Sequence, residues 1–328
     1  MILVLGGTRF VGRHIAAAAV AAGAQITLFN RGMTSSPTVN GVSQVHGDRH
    51  SDLHRLDGRE WDTVIDTCGY TPVELEQSAR YFAQRTAQYV FISSISVYRP
   101  APAPLNEDSP VLALPRHADR SQMNPELYGA LKAACEKVVI GTFRHRAAIV
   151  RPGLVAGPGD PTDRFTYWPL RYARGGTVLA PESPAQPIQY IDARDLAAFT
   201  VRLALSARCG IFNAVTEPGS VTFGDLFAAC ARASGARSPV AYASAAFLQG
   251  SGVEPWSDLP LWIPSSGDWS GLLHVASARA GLAGLHTRAV ADTARDVLRW
   301  AQRAGLPPEG LKAGLSSVRE RELLAKVK

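Results

Sequence analysis

The sequence predicts an α/β fold built on a doubly wound parallel sheet, and three observations support this prediction. Short apolar segments alternate with helical ones through about the first 215 residues, which is the pattern of consecutive β-α-β units. Two glycines follow the first apolar segment and precede a helical segment by a few residues. Beyond about residue 160, closely spaced prolines indicate loops and short elements that cover a site and do not extend the sheet.

The first β-α-β unit occupies about 30 residues at the start of the sequence. Ile2–Leu5 is a short apolar run that predicts a buried strand, and an alanine-rich segment from Val11 to Ala22 predicts a helix. Gly23 ends this helix, and Gln25–Phe29 is predicted to form the second strand.

The rest of the sheet follows from further alternation of strands and helices. The other strand candidates are Val42–Val45, Thr63–Asp66, Tyr89–Ser93, Ala147–Val150 and Gly210–Asn213. The other main helix candidates are Pro72–Arg85, Pro125–Phe143 and Asp192–Ser206. We therefore predict a Rossmann-type dinucleotide-binding domain of residues 1–160 and 187–215, with a smaller C-terminal substrate-binding lobe of residues 161–186 and 216–328.

The composition is that of a folded protein with a mild basic balance. The 328 residues include 34 basic and 28 acidic side chains, for a net charge of +6, and only five of the basic residues are lysines. With 46% hydrophobic and 19% charged residues, the chain is too apolar and too weakly charged to be disordered. The basic balance by itself is compatible with an anionic ligand, with nucleic acid or with neither.

Nothing in the sequence indicates secretion, a membrane span or a metal site. The apolar start is shorter than the core of a signal peptide, and no run of about 18 apolar residues occurs. The four cysteines are widely spaced without a CxxC pair, which argues against a zinc site and a disulfide framework. We therefore expect a cytoplasmic protein with no membrane partner and no bound metal.

The glycine-rich string GGTRFVG at residues 6–12 connects the first strand to the first helix. A glycine-rich turn at this place lets the backbone approach a pyrophosphate, and the N–H groups and dipole of the helix favour negative charge. We therefore predict that Gly6, Thr8, Phe10 and Val11 contact a dinucleotide. Arg9 stands where a glycine is expected, and an outward-pointing Arg9 is predicted to hold a phosphate.

The second predicted strand is followed by neutral and basic side chains, Asn30 and Arg31. The Asp or Glu that commonly binds the adenosine ribose in NAD-binding folds is missing here. Its absence removes repulsion toward a 2′-phosphate, and arginine can grip a phosphate through two N–H groups. We therefore expect NADP(H) to be favoured over NAD(H), the alternative being that Arg31 is a solvated turn residue. Asp48, after the third predicted strand, is a candidate partner for the adenine amine.

Two further segments carry candidate catalytic groups. A run of serines at residues 93, 94 and 96 follows the fifth predicted strand, at the edge where open α/β sheets bind their ligands. Tyr128 and Lys132 lie four residues apart in a predicted helix, so one helical face presents both to a common ligand. A Tyr-x-x-x-Lys spacing is common in helices, but this chain has only five lysines.

On four motifs the chain resembles the extended short-chain dehydrogenase/reductase superfamily, which includes NAD-dependent epimerases and dehydratases. The motifs are GGTRFVG at 6–12, SSISVY at 93–98, YGALK at 128–132 and RPGLVAGPGD at 151–160. The loop at 6–10 is most similar to that of atypical, GGTRF-type bacterial reductases and of the related chloroplast stem-loop-binding proteins. The resemblance extends over nearly the whole chain.

The resemblance implies that Ser94, Tyr128 and Lys132 are catalytic and that Lys132 also binds the nicotinamide ribose. A carbonyl that accepts a hydride needs a proton donor, and a phenol with an ordinary pKa of about 10 is inefficient at neutral pH. The Lys132 ammonium and the positive ring of an oxidised cofactor are expected to lower the pKa of Tyr128. Ser94 is expected to donate a hydrogen bond to the substrate oxygen.

The resemblance also implies further contacts. Cys68 and Gly69 follow the fourth predicted strand, where relatives carry small residues beside the cofactor. Pro152 and Val155 follow the sixth, where relatives contact the nicotinamide amide. Relatives use the helix of the Tyr-x-x-x-Lys motif and the helix before it as a dimer interface, so a homodimer is a further expectation.

Two positions argue against a nucleotide-sugar substrate. Members of the superfamily that act on sugar nucleotides generally hold the diphosphate with an Asn after the sixth strand and an Arg further on. The corresponding positions here are Leu154 and Ile188. Aliphatic side chains do not compensate the desolvation of a diphosphate, so we do not expect one to bind between them.

The later chain is rich in rings that suit an apolar or aromatic ligand, although each by itself is expected to pack in the core. These are Phe165, Tyr167, Trp168, Trp256, Trp262 and Trp269. We therefore predict an NADPH-dependent reductase of a ketone or aldehyde in a mainly apolar small molecule, with Tyr128 as general acid.

Two alternatives remain open. One is a nucleotide-sugar epimerase or dehydratase with tightly held NAD(P). The other is an RNA-binding or cofactor-sensing protein. No RNA-binding motif or basic-aromatic cluster is visible in the sequence, and acidic residues alternate with the arginines at 319–322. We therefore expect no nucleic-acid partner.

Overall fold

The computed structural model describes residues 1–34, 39–307 and 309–327. Its strands are β1 (Ile2–Leu5), β2 (Ile26–Asn30), β3 (Ser43–His46), β4 (Trp61–Asp66), β5 (Thr86–Ile92), β6 (Ala147–Pro152), β7 (Leu154–Ala156), β8 (Val178–Pro181), β9 (Tyr190–Asp192), β10 (Gly210–Ala214) and β11 (Val240–Ala243). Its α-helices are α1 (Phe10–Ala21), α2 (Pro72–Phe82), α3 (Tyr128–Phe143), α4 (Tyr167–Ala173), α5 (Ala193–Leu205), α6 (Phe223–Ser234), α7 (Ala245–Gly250), α8 (Ala278–Leu282), α9 (Val290–Arg303) and α10 (Ser317–Leu324).

Seven strands form one parallel sheet in the order β10-β6-β5-β4-β1-β2-β3. The strand order reverses between β1 and β4, and ligands of such sheets bind outside the carboxyl ends of the strands at this point. Leu5 aligns with Phe29 of β2 and with Asp66 of β4. The loops after β1, β2 and β4 therefore begin at the same edge, and the predicted doubly wound α/β fold is confirmed.

Side chains that alternate along the strands build one core on each face of the sheet. Along β1, Ile2 and Val4 belong to the core that includes residues of α1 and α5. Leu3 and Leu5 belong to the core that includes residues of α2 and α3. All four residues of β1 are buried, as expected for a parallel strand that is covered by helices on both faces.

The predicted elements agree with the observed ones to within about three residues at their ends. The difference that bears most on the site is at α3. Within the predicted helix Pro125–Phe143, Pro125–Leu127 form a 3₁₀ turn instead, where the Asn124 side chain accepts a hydrogen bond from the Glu126 N–H. Helix α3 itself begins at Tyr128, so this residue lies in its first turn.

The rest of the chain has its own core beside the main sheet. It contains two small parallel strand pairs, β7 with β9 and β8 with β11. Residues of α4, α6 and α9 pack together around these pairs. Within the described ranges, no helix is both long and apolar enough to cross a membrane.

Most of the rings of the later chain pack inside this core. Four of them are buried: Phe165, Tyr167, Trp168 and Trp262. Trp256 is partly buried against the same core, and Trp269 is 49% exposed. The expectation that each of these rings by itself packs in the core is thus confirmed for the four buried residues, whose surfaces are covered by the other members of this core.

Candidate active site

A cleft of about 550 Å³ runs along the carboxyl edge of the main sheet, a volume typical of small-molecule sites. All but one of the predicted cofactor residues line it: Gly6, Thr8, Arg9, Phe10, Val11, Asn30, Arg31, Asp48, Cys68, Lys132, Pro152 and Val155. Gly69 is the exception, and its carbonyl oxygen accepts a hydrogen bond of 2.9 Å from Lys132 Nζ. Tyr128 and Ser93 line the same cleft.

The loop between β1 and α1 is shaped to receive an anion. Gly6 and Gly7 have φ values of +98° and +89°, a region that favours glycine. Gly12 packs against this turn so closely that a Cβ there would lie 2.8 Å from the Cα of Gly7. In the described part of the chain, no side chain caps α1, and its first turn contains no acidic residue. The terminal N–H groups and the dipole of α1 therefore favour negative charge at this end of the cleft.

Arg9 occupies the N-cap of α1 with φ −117° and ψ 151°. Any residue adopts this extended conformation, so the glycine that the motif leads one to expect is not required by the backbone. The Arg9 side chain is exposed at the cleft. Its contact with a cofactor phosphate stays a prediction.

The end of β2 contributes neutral and cationic groups to the cleft. Asn30 is buried, and its Oδ1 accepts a hydrogen bond of 2.9 Å from the Gly32 N–H. Its Nδ2 has no hydrogen-bond partner among the residues that the structure describes. Arg31 is exposed beside it. Asp48, which follows β3, also lines the cleft, and its side chain accepts a hydrogen bond of 2.8 Å from the His50 N–H.

The sequence analysis missed a buried ion pair in the cleft wall. Arg49 donates to both carboxylate oxygens of Asp66, at 3.1 Å from Nη1 and 2.8 Å from Nη2. Asp66 also accepts a hydrogen bond of 2.8 Å from the Tyr89 hydroxyl. The sequence did contain a signal for this pair, because Asp66 stands at the end of a buried strand. A carboxylate there needs a cation to offset its desolvation.

Lys132 lies at the floor of the cleft with its charge directed to backbone carbonyls. It is 3% exposed, and Nζ donates to the Gly69 oxygen at 2.9 Å and to the Ile92 oxygen at 2.6 Å. Nζ also lies 4.2 Å from the centroid of the Phe91 ring. Burial lowers the pKa of Lys132 from its ordinary value.

Tyr128 has a raised pKa, for which burial is the main cause, while a hydrogen bond with Ser94 acts in the opposite direction. The expected lowering of this pKa by Lys132 is therefore wrong for the protein chain by itself. The physical reason is that the Lys132 ammonium is engaged with two carbonyl oxygens, whereas the phenol has lost its hydration. The expected effect of an oxidised cofactor's positive ring on this pKa stays a prediction.

Ser94 is buried beside Tyr128 and does not itself line the cleft. Its hydroxyl lies 3.0 Å from Ser96 Oγ, to which it donates, and it accepts a hydrogen bond from the Ser96 N–H. Helix α3 approaches this segment so closely that a Cβ at Gly129 would lie 2.0 Å from the Ser96 carbonyl oxygen. The glycine after Tyr128 therefore allows the close contact that brings Ser94 and Tyr128 together.

A second buried network fixes the base of the site. The Ser93 hydroxyl donates to Glu136 at 2.5 Å, and Arg151 donates to the same carboxylate at 2.9 Å from Nε and 2.6 Å from Nη2. Arg151 Nη1 also donates to the Tyr98 hydroxyl at 2.9 Å. This network ties the ends of β5 and β6 to α3. The available signal was Glu136, the only carboxylate of α3, at a position four residues after Lys132.

Neither position that corresponds to a diphosphate-binding side chain faces the cleft. Leu154 is 6% exposed and Ile188 is fully buried, and both belong to the core of the later chain. The cleft lining includes Tyr70, whose ring centroid lies 5.4 Å from Lys132 Nζ, and Pro161.

Comparison with known proteins gives a family and several similar folds. Residues 2–214 match the model of the NAD dependent epimerase/dehydratase family. The chloroplast stem-loop binding protein of 41 kDa b from Arabidopsis thaliana is 28% identical over 263 residues, which is 73% of this chain and 64% of that protein. The chain thus matches less than two thirds of the length of this curated relative.

Two solved structures illustrate the similarity of fold. MoeE5 in complex with UDP-glucose and NAD has a TM-score of 0.62 at 19% identity, covering 92% of this chain and 99% of that one. The UDP-glucuronic acid 4-epimerase from Bacillus cereus in complex with NAD has a TM-score of 0.66 at 15% identity, with the same coverage of 92% and 99%. The match to the family model over residues 2–214 carries the assignment: this chain belongs to the NAD-dependent epimerase/dehydratase family.

Proposed function

We propose that this chain is a nicotinamide-dependent enzyme that transfers a hydride to or from a carbon bearing oxygen in a small substrate, with Tyr128 as the proton donor or acceptor. The observation that carries the proposal is that Tyr128 and Lys132 line one cleft, with Ser94 hydrogen-bonded to Tyr128 directly behind its wall. The same cleft includes the N-terminus of α1, which no side chain of the described residues caps. A bound nicotinamide supplies or accepts the hydride in this cleft.

The residues of the cleft fit a dinucleotide. The end of α1 suits a pyrophosphate, and the Asn30 Nδ2, which lacks a partner among the described residues, suits an oxygen of the ribose or of a phosphate. In the direction of reduction, the substrate carbon gains a hydride while its oxygen takes the Tyr128 proton. Ser94 stabilises the negative charge that develops on that oxygen. Lys132 holds the strand ends at Gly69 and Ile92 and, as the resemblance implies, the nicotinamide ribose.

The proposed cofactor is NADP(H) in preference to NAD(H). Asn30 is neutral, Arg31 is exposed at the cleft, and Arg9 is exposed on the loop beside them. A 2′-phosphate at this place meets positive charge and no carboxylate from the end of β2.

Cofactor titration of Arg31→Ala tests this preference. We expect NADPH binding to weaken about tenfold while NADH binding changes less than about twofold, because only the phosphate contact is lost. Arg299→Ala, which removes an exposed arginine of α9, is the control. Equal losses for both cofactors, or tighter binding of NADH by the unmodified protein, contradict the preference.

The reaction type has two finer proposals. The family match and the similarity to epimerases favour a nucleotide-sugar epimerase or dehydratase that keeps its cofactor bound. The buried aliphatic residues Leu154 and Ile188 favour a reductase of a ketone or aldehyde without a nucleoside diphosphate. We also propose that the GGTRF loop groups this chain with the GGTRF-type bacterial reductases, and that residues 161–186 and 216–328 form the substrate-binding lobe.

One assay separates the two reaction types. The protein is incubated with NADPH and a panel of ketones, aldehydes and sugar nucleotides, while cofactor absorbance and sugar products are followed together. A reductase consumes NADPH in proportion to product. An epimerase changes the sugar without net consumption, since the hydride returns to the substrate.

The catalytic assignment is tested by Tyr128→Phe. We expect turnover to fall at least about a hundredfold while cofactor affinity is kept, because only the proton-transfer group is lost. Tyr81→Phe is the matched control, since it removes the same hydroxyl from a tyrosine that does not line the cleft. A Tyr128→Phe enzyme with ordinary turnover contradicts the proposal.

A further inference from the structure

The ion pair of Arg49 and Asp66 is the part of the cleft that the proposed chemistry does not use. Arg49 lines the cleft between Asp48 and Cys68 although its side chain is only 9% exposed. Asp66 has no exposed side-chain surface. Removing both charges of an ion pair from water to this degree costs free energy. This pair lies in the wall of a ligand site and not in the centre of a core.

The pair holds the guanidinium in a fixed plane. Besides its two bonds to Asp66, Arg49 donates to Ser78 Oγ at 2.6 Å. Asp66 is fixed in turn by the Tyr89 hydroxyl and by the Cys68 N–H at 3.1 Å. A planar cation that is anchored along one edge loses no rotamer freedom when a flat group stacks on it.

The position of Arg49 corresponds to the base of a bound dinucleotide. The pyrophosphate is expected at the N-terminus of α1 and the adenosine ribose at the end of β2. The sheet continues from β2 to β3, with Asn30 aligned to His46, and Asp48 and Arg49 follow directly after β3. The base that extends beyond the ribose therefore meets the loop that carries Arg49.

The net charge of the Arg49–Asp66 pair indicates which part of the cofactor it contacts. Asp66 neutralises Arg49 at close range, so this arginine, unlike the exposed Arg31, is not suited to attract a phosphate from solvent. Arg49 nevertheless lines the cleft, and an electron-rich aromatic ring that stacks on the face of a guanidinium is attracted by its charge.

We propose that Arg49 binds the adenine base of the cofactor by stacking, with Asp66 as the residue that positions the guanidinium. The inference rests on the proposed dinucleotide function and adds a binding residue to it. It predicts that Arg49 contributes to the affinity of the adenosine half and not to that of the nicotinamide half.

Calorimetric and fluorescence titrations with two half-cofactors test the proposal. ADP carries the adenine base, and reduced nicotinamide mononucleotide carries the other half. Arg49→Lys keeps the positive charge but lacks the planar guanidinium. R49M/D66N removes both charges of the pair, so that no buried charge is left without a partner. The control is R171M/E320Q, which removes another buried arginine–carboxylate pair, 3% and 2% exposed, outside the cleft.

The expected result is a loss of about tenfold in ADP affinity for both Arg49 variants, with the affinity for the mononucleotide unchanged within about twofold. The control is expected to bind both ligands as the unmodified protein does. The proposal is overturned if both Arg49 variants keep the ADP affinity, or if the affinities for the two half-cofactors fall together. Failure of the unmodified protein to bind either ligand refutes the dinucleotide function itself.

A crystal structure of the unmodified chain with ADP decides the question even if the variants do not fold. A base centroid within about 6 Å of the Arg49 guanidinium, face to face with it, supports the proposal. A base bound elsewhere in the cleft, out of contact with Arg49, overturns it.

Discussion

Replacement of Glu136 by glutamine is expected to destabilise the protein by about 3 kcal/mol. Glu136 and Arg151 have side chains that are each 3% exposed, and two hydrogen bonds of 2.9 and 2.6 Å join them. Glutamine has nearly the same shape as glutamate, so the change opens no cavity. It leaves the buried guanidinium of Arg151 without a counter-charge.

The magnitude follows from what remains around Arg151. Removing one member of a buried pair costs about 3–5 kcal/mol because a charge is left uncompensated. The glutamine oxygen still accepts one N–H, and the Tyr98 hydroxyl and the Glu107 carbonyl remain at 2.9 and 3.2 Å. These acceptors place the expected loss at the lower end of that range. It is still a large share of a total stability of about 5–15 kcal/mol.

Urea unfolding followed by circular dichroism measures the loss, with Glu76→Gln as the matched control. Glu76 pairs with Arg120 at the surface, with side chains 41% and 54% exposed, so its removal is expected to cost less than about 1 kcal/mol. The reasoning is refuted if the two variants lose the same free energy of unfolding. E136L/R151M, in which neither charge is left alone, is expected to recover part of the stability.

Two further predictions concern α3 and the acid side of the stability profile. Gly129→Ala is expected to destabilise the protein by about 1–3 kcal/mol, because its Cβ meets the Ser96 carbonyl oxygen at 2.0 Å. Gly141→Ala in the same helix meets no atom of the described residues within 4 Å and is expected to stabilise the protein by about 0.5–1 kcal/mol. Similar effects of the two variants in urea unfolding contradict the argument. Burial alone raises the pKa of Asp66, but the Arg49 guanidinium and the Tyr89 hydroxyl bring it below its ordinary value. The stability from this carboxylate is therefore present above the unfolded pKa of about 3.9 and is lost as the pH falls through the lower native value. Thermal melts between about pH 2 and 6 are expected to decline less steeply for Asp66→Asn than for the unmodified protein, and equal slopes speak against the assignment.

The elements of the sheet could be predicted because their signals are local. The apolar run of β1, the glycine after α1 and the proline at the start of α2 each act within a few residues. The glycine-rich loop and the Tyr128–Lys132 spacing are local in the same sense, and the observed cleft includes both. The start of α3 was misjudged by three residues because a 3₁₀ turn and a helix have the same local signals there.

The partners of the charged residues could not be predicted. Arg49 and Asp66 are 17 residues apart in sequence, and Lys132 bonds to carbonyl oxygens 63 and 40 residues away. The buried rings of the later chain were open to two interpretations for the same reason. The position of an aromatic residue in the sequence does not show which residues pack against its side chain. Only the observed packing around Trp168 and Trp262 shows that these two rings lie in the core and not in the cleft.

The sequence by itself determined the order of strands and helices and the edge at which the cleft forms. Side-chain periodicity and glycine positions act locally, and parallel strands bring their carboxyl ends to one edge whatever the side chains beyond them are. Only the tertiary structure decided the electrostatics of that cleft: the raised pKa of Tyr128, the carbonyl partners of Lys132 and the neutralised charge of Arg49. Desolvation and Coulomb energies depend on burial and on distances between residues far apart in the chain, and these quantities exist only once the chain has folded.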